Sequence, residues 1–196
     1  LGTLSALLDK SLVRRTPSGL YALHPLLRQF ALEKLDETPG QLAVIRYAHA
    51  QCFARLLQTR APALRAHGQK DALQALDEVW EDLRSGWRWA LEASDPALLD
   101  AMLEGLATFC QMRGWQQIGV ELLEAALPLA DAAPRLLSRL NLYLGILLNE
   151  LSQMQRARGL LEAALSELPD DAAAEIILAH SALGRVEWIE GHYDQA

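Results

Sequence analysis

From Leu42 onward, apolar and polar residues alternate with the three-to-four-residue step of an α-helix along almost the whole chain. Leu42, Ile45, His49, Cys52, Phe53 and Leu56 share one side of a first segment, with Arg46, Gln51, Arg55 and Gln58 opposite. Leu73, Leu76, Trp80, Leu83, Trp87 and Leu91 form the apolar side of a second. RAPALRAHGQK, between the two, is predicted as a loop. The second helix should end at Ser94-Asp95-Pro96, where Asp95 suits the cap of the next helix and Pro96 its first turn.

The first forty residues follow a different pattern. TLSALLD reads as the end of a helix, and SLVRR and LYAL are short strand-like runs separated by TPSG, a turn composition. That predicts a hairpin. Pro25 then opens a helix with Leu26, Leu27, Phe30, Ala31 and Leu35 on one face, ending before Thr38-Pro39-Gly40. His24 stands at the joint. Helix, two-stranded wing and helix are the order of the back half of a winged-helix module.

The last hundred residues repeat themselves. Aligning Ala107, Gly145 and Gly184 brings three copies into register, at spacings of 38 and 39 residues. The middle copy carries Leu144-Gly145, Leu148, Leu151, Met154, Ala157, Leu161, Ala164, Leu165 and Pro169. The third carries Leu183-Gly184, Gly191, Tyr193 and Ala196, and the first Leu106-Ala107, Gly114, Gly119, Leu123 and Ala126-Leu127. These positions resemble the tetratricopeptide pattern, whose standard period is about 34 residues. Small residues at Ala107, Gly145 and Gly184, and at Gly119, Ala157 and Ala196, would let paired antiparallel helices approach closely. The longer spacing predicts lengthened helices or turns.

LLDKSLVRRTPSGLYALHPLLRQFALEKL resembles the winged-helix end of the NB-ARC-type ATPase module of bacterial STAND regulators, multidomain signalling ATPases. LDEVWEDLRSGWRWALEA resembles the helical segment that follows it there, with tetratricopeptide repeats next. The resemblance implies a mostly α fold: a partial winged helix with a small β-hairpin (1–38), a helical linker packing on the repeats (39–95), and an α-α superhelix of tetratricopeptide-like hairpins (96–196, in copies of about 96–134, 135–172 and a truncated 173–196). It also implies a non-catalytic sensor or scaffold arm coupled to an upstream nucleotide-switch domain. A free-standing repeat adaptor is the alternative. In NB-ARC proteins a Met-His-Asp motif opens the corresponding helix and its histidine reads the phosphates of ADP. Here Leu23-His24-Pro25 stands in that place, so His24 either senses nucleotide or only caps the joint by bonding a nearby carbonyl.

Composition narrows the choice. The formal charge is −7 and the pI about 5.2, which argues against a general nucleic-acid or membrane-surface binder. The charge is uneven: residues 1–35 hold five basic and two acidic side chains, a net +3, leaving −10 for the remainder. Cys52 and Cys110 lack metal-ligand spacing and read as reduced thiols of a cytoplasmic chain. No apolar run approaches the roughly 20 residues that span a bilayer. The chain opens on Leu1 and stops in mid-pattern, as a piece of something longer would.

Catalytic signatures are missing. No G-x-x-x-x-G-K-[ST], H-E-x-x-H, paired Cys-x-x-Cys or G-x-S-x-G is present, so no enzyme activity is expected, and ADP or ATP only with the upstream domain. His49 and Cys52 read as a core pair rather than metal ligands. Asp77, Glu78, Glu81 and Asp82 around Trp80 read as a solvated face. Direct DNA contact is disfavoured, because the helix before the wing offers Leu4, Ala6, Leu7 and Leu8 where base contacts need polar side chains. In tetratricopeptide arrays the first helix of each pair lines a concave groove. Matching positions select Glu104, Thr108 and Gln111, then Leu142, Ile146 and Asn149, then Ser181, Arg185 and Trp188. That mixture fits an extended peptide, a protein segment or a small effector, unless part of it packs on further repeats or on the ATPase domain.

Overall fold

The computed structural model of the chain describes residues 2–16 and 19–191. The proposed turn at Pro17-Ser18 and the repeat positions Tyr193 and Ala196 lie outside the described residues. Among these there are eleven helices and one two-stranded antiparallel hairpin, which makes the protein mostly α. The chain divides into two compact units, residues 1–46 and 47–196, with the boundary inside a long helix.

The first unit begins with α1 (Gly2–Asp9), β1 (Val13–Arg15) and β2 (Tyr21–Leu23). The strands pair Val13 with Leu23, Arg14 with Ala22 and Arg15 with Tyr21, which is the expected hairpin. Gly19, at φ +87°, adopts the left-handed backbone that the reversal needs. Next comes α2 (Pro25–Asp36), with Pro25 in its first turn and the His24 ring accepting from the Leu26 N–H. Val13 is the only buried apolar residue described in this unit, while Leu26 and Phe30 are exposed.

The long helix α3 (Pro39–Leu64) crosses the boundary. It corrects the sequence reading in two ways. The predicted loop at 60–70 is helix as far as Leu64. Pro62 sits in the last turn, where its missing N–H costs one helical bond while burial of Ala61 and Leu64 favours continuing. The buried stripe of α3 is Ala50, Ala54, Leu57, Ala61 and Leu64, so the face is rotated toward small residues and Cys52 is exposed, not core. Likewise, the single helix expected over Leu73–Leu91 is two, α4 (Gln69–Asp77) and α5 (Trp80–Glu92), broken at Glu78-Val79.

The rest of the second unit is α6 (Pro96–Arg113), α7 (Gln116–Glu124), α8 (Leu127–Ala130), α9 (Pro134–Glu150), α10 (Met154–Glu167) and α11 (Ala173–Glu190). Asp95 caps α6 as the sequence predicts, its carboxylate accepting from the Leu98 N–H at 3.0 Å. A β-carbon built on Gly119 would lie 3.0 Å from that of Cys110, and one on Gly145 2.6 Å from Leu161 Cγ. These contacts flank the turns at Gly114 and Ser152, so α6/α7 and α9/α10 are antiparallel hairpins held close by small residues. Gly105 likewise lets Leu57 of α3 pass at 2.7 Å from where a β-carbon would stand. Trp87 is fully buried on α5, and its indole N–H donates to the Leu122 carbonyl at 2.9 Å, tying α5 to α7.

Candidate functional site: the polar side of the α6–α9–α11 layer

Helices α6, α9 and α11 lie side by side. Asp100 and Gln111 of α6 meet Arg139 and Glu150 of α9, and Glu175 and Arg185 of α11 meet the same two residues. Contacts in that order require α6, α9 and α11 to run parallel in one layer. Polar side chains cross the layer in two rows. In the first, the Arg139 guanidinium bonds Asp100, with Glu104 at 3.7 Å and Glu175 at 3.5 Å. Arg65 at the end of α3 donates to Thr108 Oγ1 at 2.9 Å and stands 3.7 Å from Glu104. Arg135 lies 3.8 Å from Asp100.

Arg139 is buried, and burial alone would lower its pKa. The attraction and hydrogen bond of Asp100, with Glu175 behind, outweigh that loss and raise it. Its Nε makes no hydrogen bond among the described residues. Tyr143, one turn along, has its hydroxyl pushed up to about 12 by burial and by the charge of Glu104. Burial likewise pushes the Cys110 thiol to about 12, which leaves it a poor nucleophile.

The second row centres on Glu150. Gln111 donates to its Oε1 at 2.6 Å and Gln116 to its Oε2 at 2.9 Å, while Arg185 stands off at 3.7 Å. Asn149 donates to the Ala182 carbonyl at 3.0 Å, and its buried Oδ1 has no hydrogen-bond partner among the described residues.

The sequence-selected groove residues therefore separate. Thr108, Leu142, Ile146 and Asn149 are buried, Glu104 is half-exposed within the first row, and Gln111 is tied to Glu150. Ser181, Arg185 and Trp188 are exposed. Arg65, Asp100, Arg135, Arg139, Tyr143, Glu150 and Glu175 belong to the same rows but were not selected. One signal could have found the hub: Arg139 is the charged residue inside the otherwise apolar and amide run LLSRLNLYLGILLN.

Elsewhere, His24 Nδ1 accepts from the Leu26 N–H at 3.3 Å, a capping contact made with an amide rather than a carbonyl. His49 is half-buried, with Nε2 at 3.2 Å from Asp82 and its ring 4.7 Å from that of Phe53. Of the acidic cluster, Asp77 pairs with Arg113 at 3.0 Å and Glu81 with Arg84 at 3.2 Å. No three metal-ligating side chains gather among the described residues, and no described helix is long and apolar enough to cross a membrane. No family model, curated protein or solved structure matches the chain.

Proposed function

We propose that the chain is a non-catalytic recognition arm. Its helical hairpins form a tetratricopeptide-like stack, and its α6–α9–α11 side receives a protein or peptide segment, or a small effector, on behalf of an upstream nucleotide switch of the STAND type. The observation that carries the reading is the close hairpin contact at small residues in two successive hairpins, Gly119 on the second helix of one against Cys110 and Gly145 on the first helix of the next against Leu161 and Ala157. A stack of repeats generates an extended face in which each helix adds one row of side chains. Glu104, Ser181, Arg185 and Trp188 are the members of that face which remain open to a partner.

His24 enters this reading as a nucleotide-sensing residue, since its ring occupies the joint between hairpin and helix that corresponds to the ADP sensor of the resembling family. Nucleotide, on this account, is held by the upstream domain and not by the residues described here.

A displayed peptide library panned against the chain tests the proposal. Selected peptides should lose at least about tenfold in affinity to the Trp188→Ala or Arg185→Glu variants, as expected when an exposed anchor or a charge-assisted contact is removed. Peptides indifferent to Glu104→Arg, Arg185→Glu and Trp188→Ala alike would refute the assignment of this face.

A further inference from the structure

A second concave site lies away from the polar rows. Tyr47, Gln51, Ala54, Arg55 and Gln58 of α3 face Asp95, Ala97, Leu98 and Ala101 at the start of α6 across a cleft of about 230 Å³. Its floor is aliphatic: Ala54 and Leu98 are buried there. Its rim is polar and unspent. The side chains of Tyr47, Gln51, Arg55 and Gln58 make no hydrogen bond or ion pair to any described residue. This stands out in a unit whose other arginines are mostly committed, Arg65, Arg84, Arg113, Arg139 and Arg156 among them.

Arg55 and Asp95 line the same cleft without pairing with each other. Asp95 uses Oδ1 to cap Leu98, which leaves acceptor capacity on the carboxylate. The cleft thus sets a fixed cation and two two-way amides beside a carboxylate, over an aliphatic floor. Its volume lies below the roughly 300–1,000 Å³ of sites for drug-sized ligands.

We propose that this cleft binds a single amino-acid unit, with the ligand carboxylate on Arg55, its nitrogen toward Asp95, and an aliphatic side chain over Ala54 and Leu98. The same chemistry is offered by a free amino acid and by the last residue of a peptide. In the first the nitrogen is an ammonium, in the second an amide N–H.

Three probes separate the cases: L-leucine, N-acetyl-L-leucine and L-leucinamide, titrated into the ¹⁵N-labelled chain. Saturable shifts confined to residues 47–58 and 95–101 are expected with at least one of the first two and not with leucinamide, which lacks the carboxylate. Leucine alone assigns a free amino acid, and acetyl-leucine a peptide end. Arg55→Gln, at an exposed side chain without partners among the described residues, should leave the spectrum folded and weaken binding about tenfold or more, the usual scale of a charged hydrogen bond. Asp95→Asn keeps the helix cap and should weaken leucine more than acetyl-leucine. The proposal is overturned if neither carboxylate probe shifts these residues, if leucinamide binds equally, or if Arg55→Gln binds as the parent does.

Discussion

Helices α9 and α11 lie side by side and run parallel, yet they treat residues 39 apart in sequence in opposite ways. Ser138, Leu142 and Asn149 of α9 are 0%, 0% and 3% exposed. Their counterparts on α11 are Ile177 at 68%, Ser181, which is exposed, and Trp188 at 64%. Hydrophobicity runs the wrong way for residue type to explain this, since α9 buries a serine and an asparagine while α11 exposes an isoleucine and a tryptophan. The difference lies in the neighbours. α11 covers the α9 stripe, with Asn149 bonded to Ala182 and Arg139 beside Glu175, and no described element covers the matching stripe of α11. In a layer of parallel helices, position decides burial, and sequence then has to satisfy it.

The comparison can be broken most forcefully at its buried end. Leu142→Ala should cost about 2–5 kcal/mol, the range for a fully enclosed leucine, whereas Trp188→Ala should lie within about 0.5 kcal/mol of the parent. Chemical denaturation of both variants reads the contrast directly, and equal losses would abolish it. Arg139→Met comes next. Removing the hub leaves Asp100 and Glu175 without their buried counter-charge, and about 3 kcal/mol should be lost, less if water reaches the two acids. A variant as stable as the parent would make the row incidental.

Gly145→Leu probes the contact that α9 makes with its own hairpin partner, and should lower stability by about 1–3 kcal/mol through overpacking against Leu161. Thermal melting checks it. Alkaline unfolding gives a smaller effect. The folded chain keeps the Tyr143 proton up to about pH 12 where the unfolded phenol loses it near 10, so stability is whole below pH 10 and falls as pH rises toward 12. Cys110 adds a loss beginning near pH 9 by the same sign. Tyr143→Phe should remove the tyrosine share, which a pH series of melts would detect. Finally, a thiol reagent should label Cys52 and spare Cys110 in the native protein, with both reacting after denaturation.

Much of this architecture could be read from residues with a strong local signal. Val13–Arg15 and Tyr21–Leu23 are bounded by turn residues, and Pro25, Asp95-Pro96 and Gly114 mark helix ends by their own backbone chemistry. The close approach of paired helices at Gly119 and Gly145 follows from the absence of a side chain there. The misreadings have physical causes. Ala50, Ala54 and Ala61 make a weak hydrophobic stripe, so the larger Ile45 and Cys52 misplaced the buried face of α3. Pro62 suggested a loop because the burial that keeps the helix going comes from distant residues. The tetratricopeptide pattern marks groove positions one helix at a time, but Leu142 and Asn149 are spent on packing against α11, and Arg139 and Glu150 acquire their roles only when three parallel helices meet.

Native-state hydrogen exchange is the most direct test of the claim that place in the stack sets burial. Amides of residues 140–148 should exchange only through global unfolding, with an opening free energy equal to that from denaturation. Amides of residues 176–188 should open through smaller fluctuations and exchange faster, and Leu142→Ala should accelerate the first group while Trp188→Ala leaves it unchanged. Equal protection across α9 and α11, with both groups tracking global unfolding, would contradict the account.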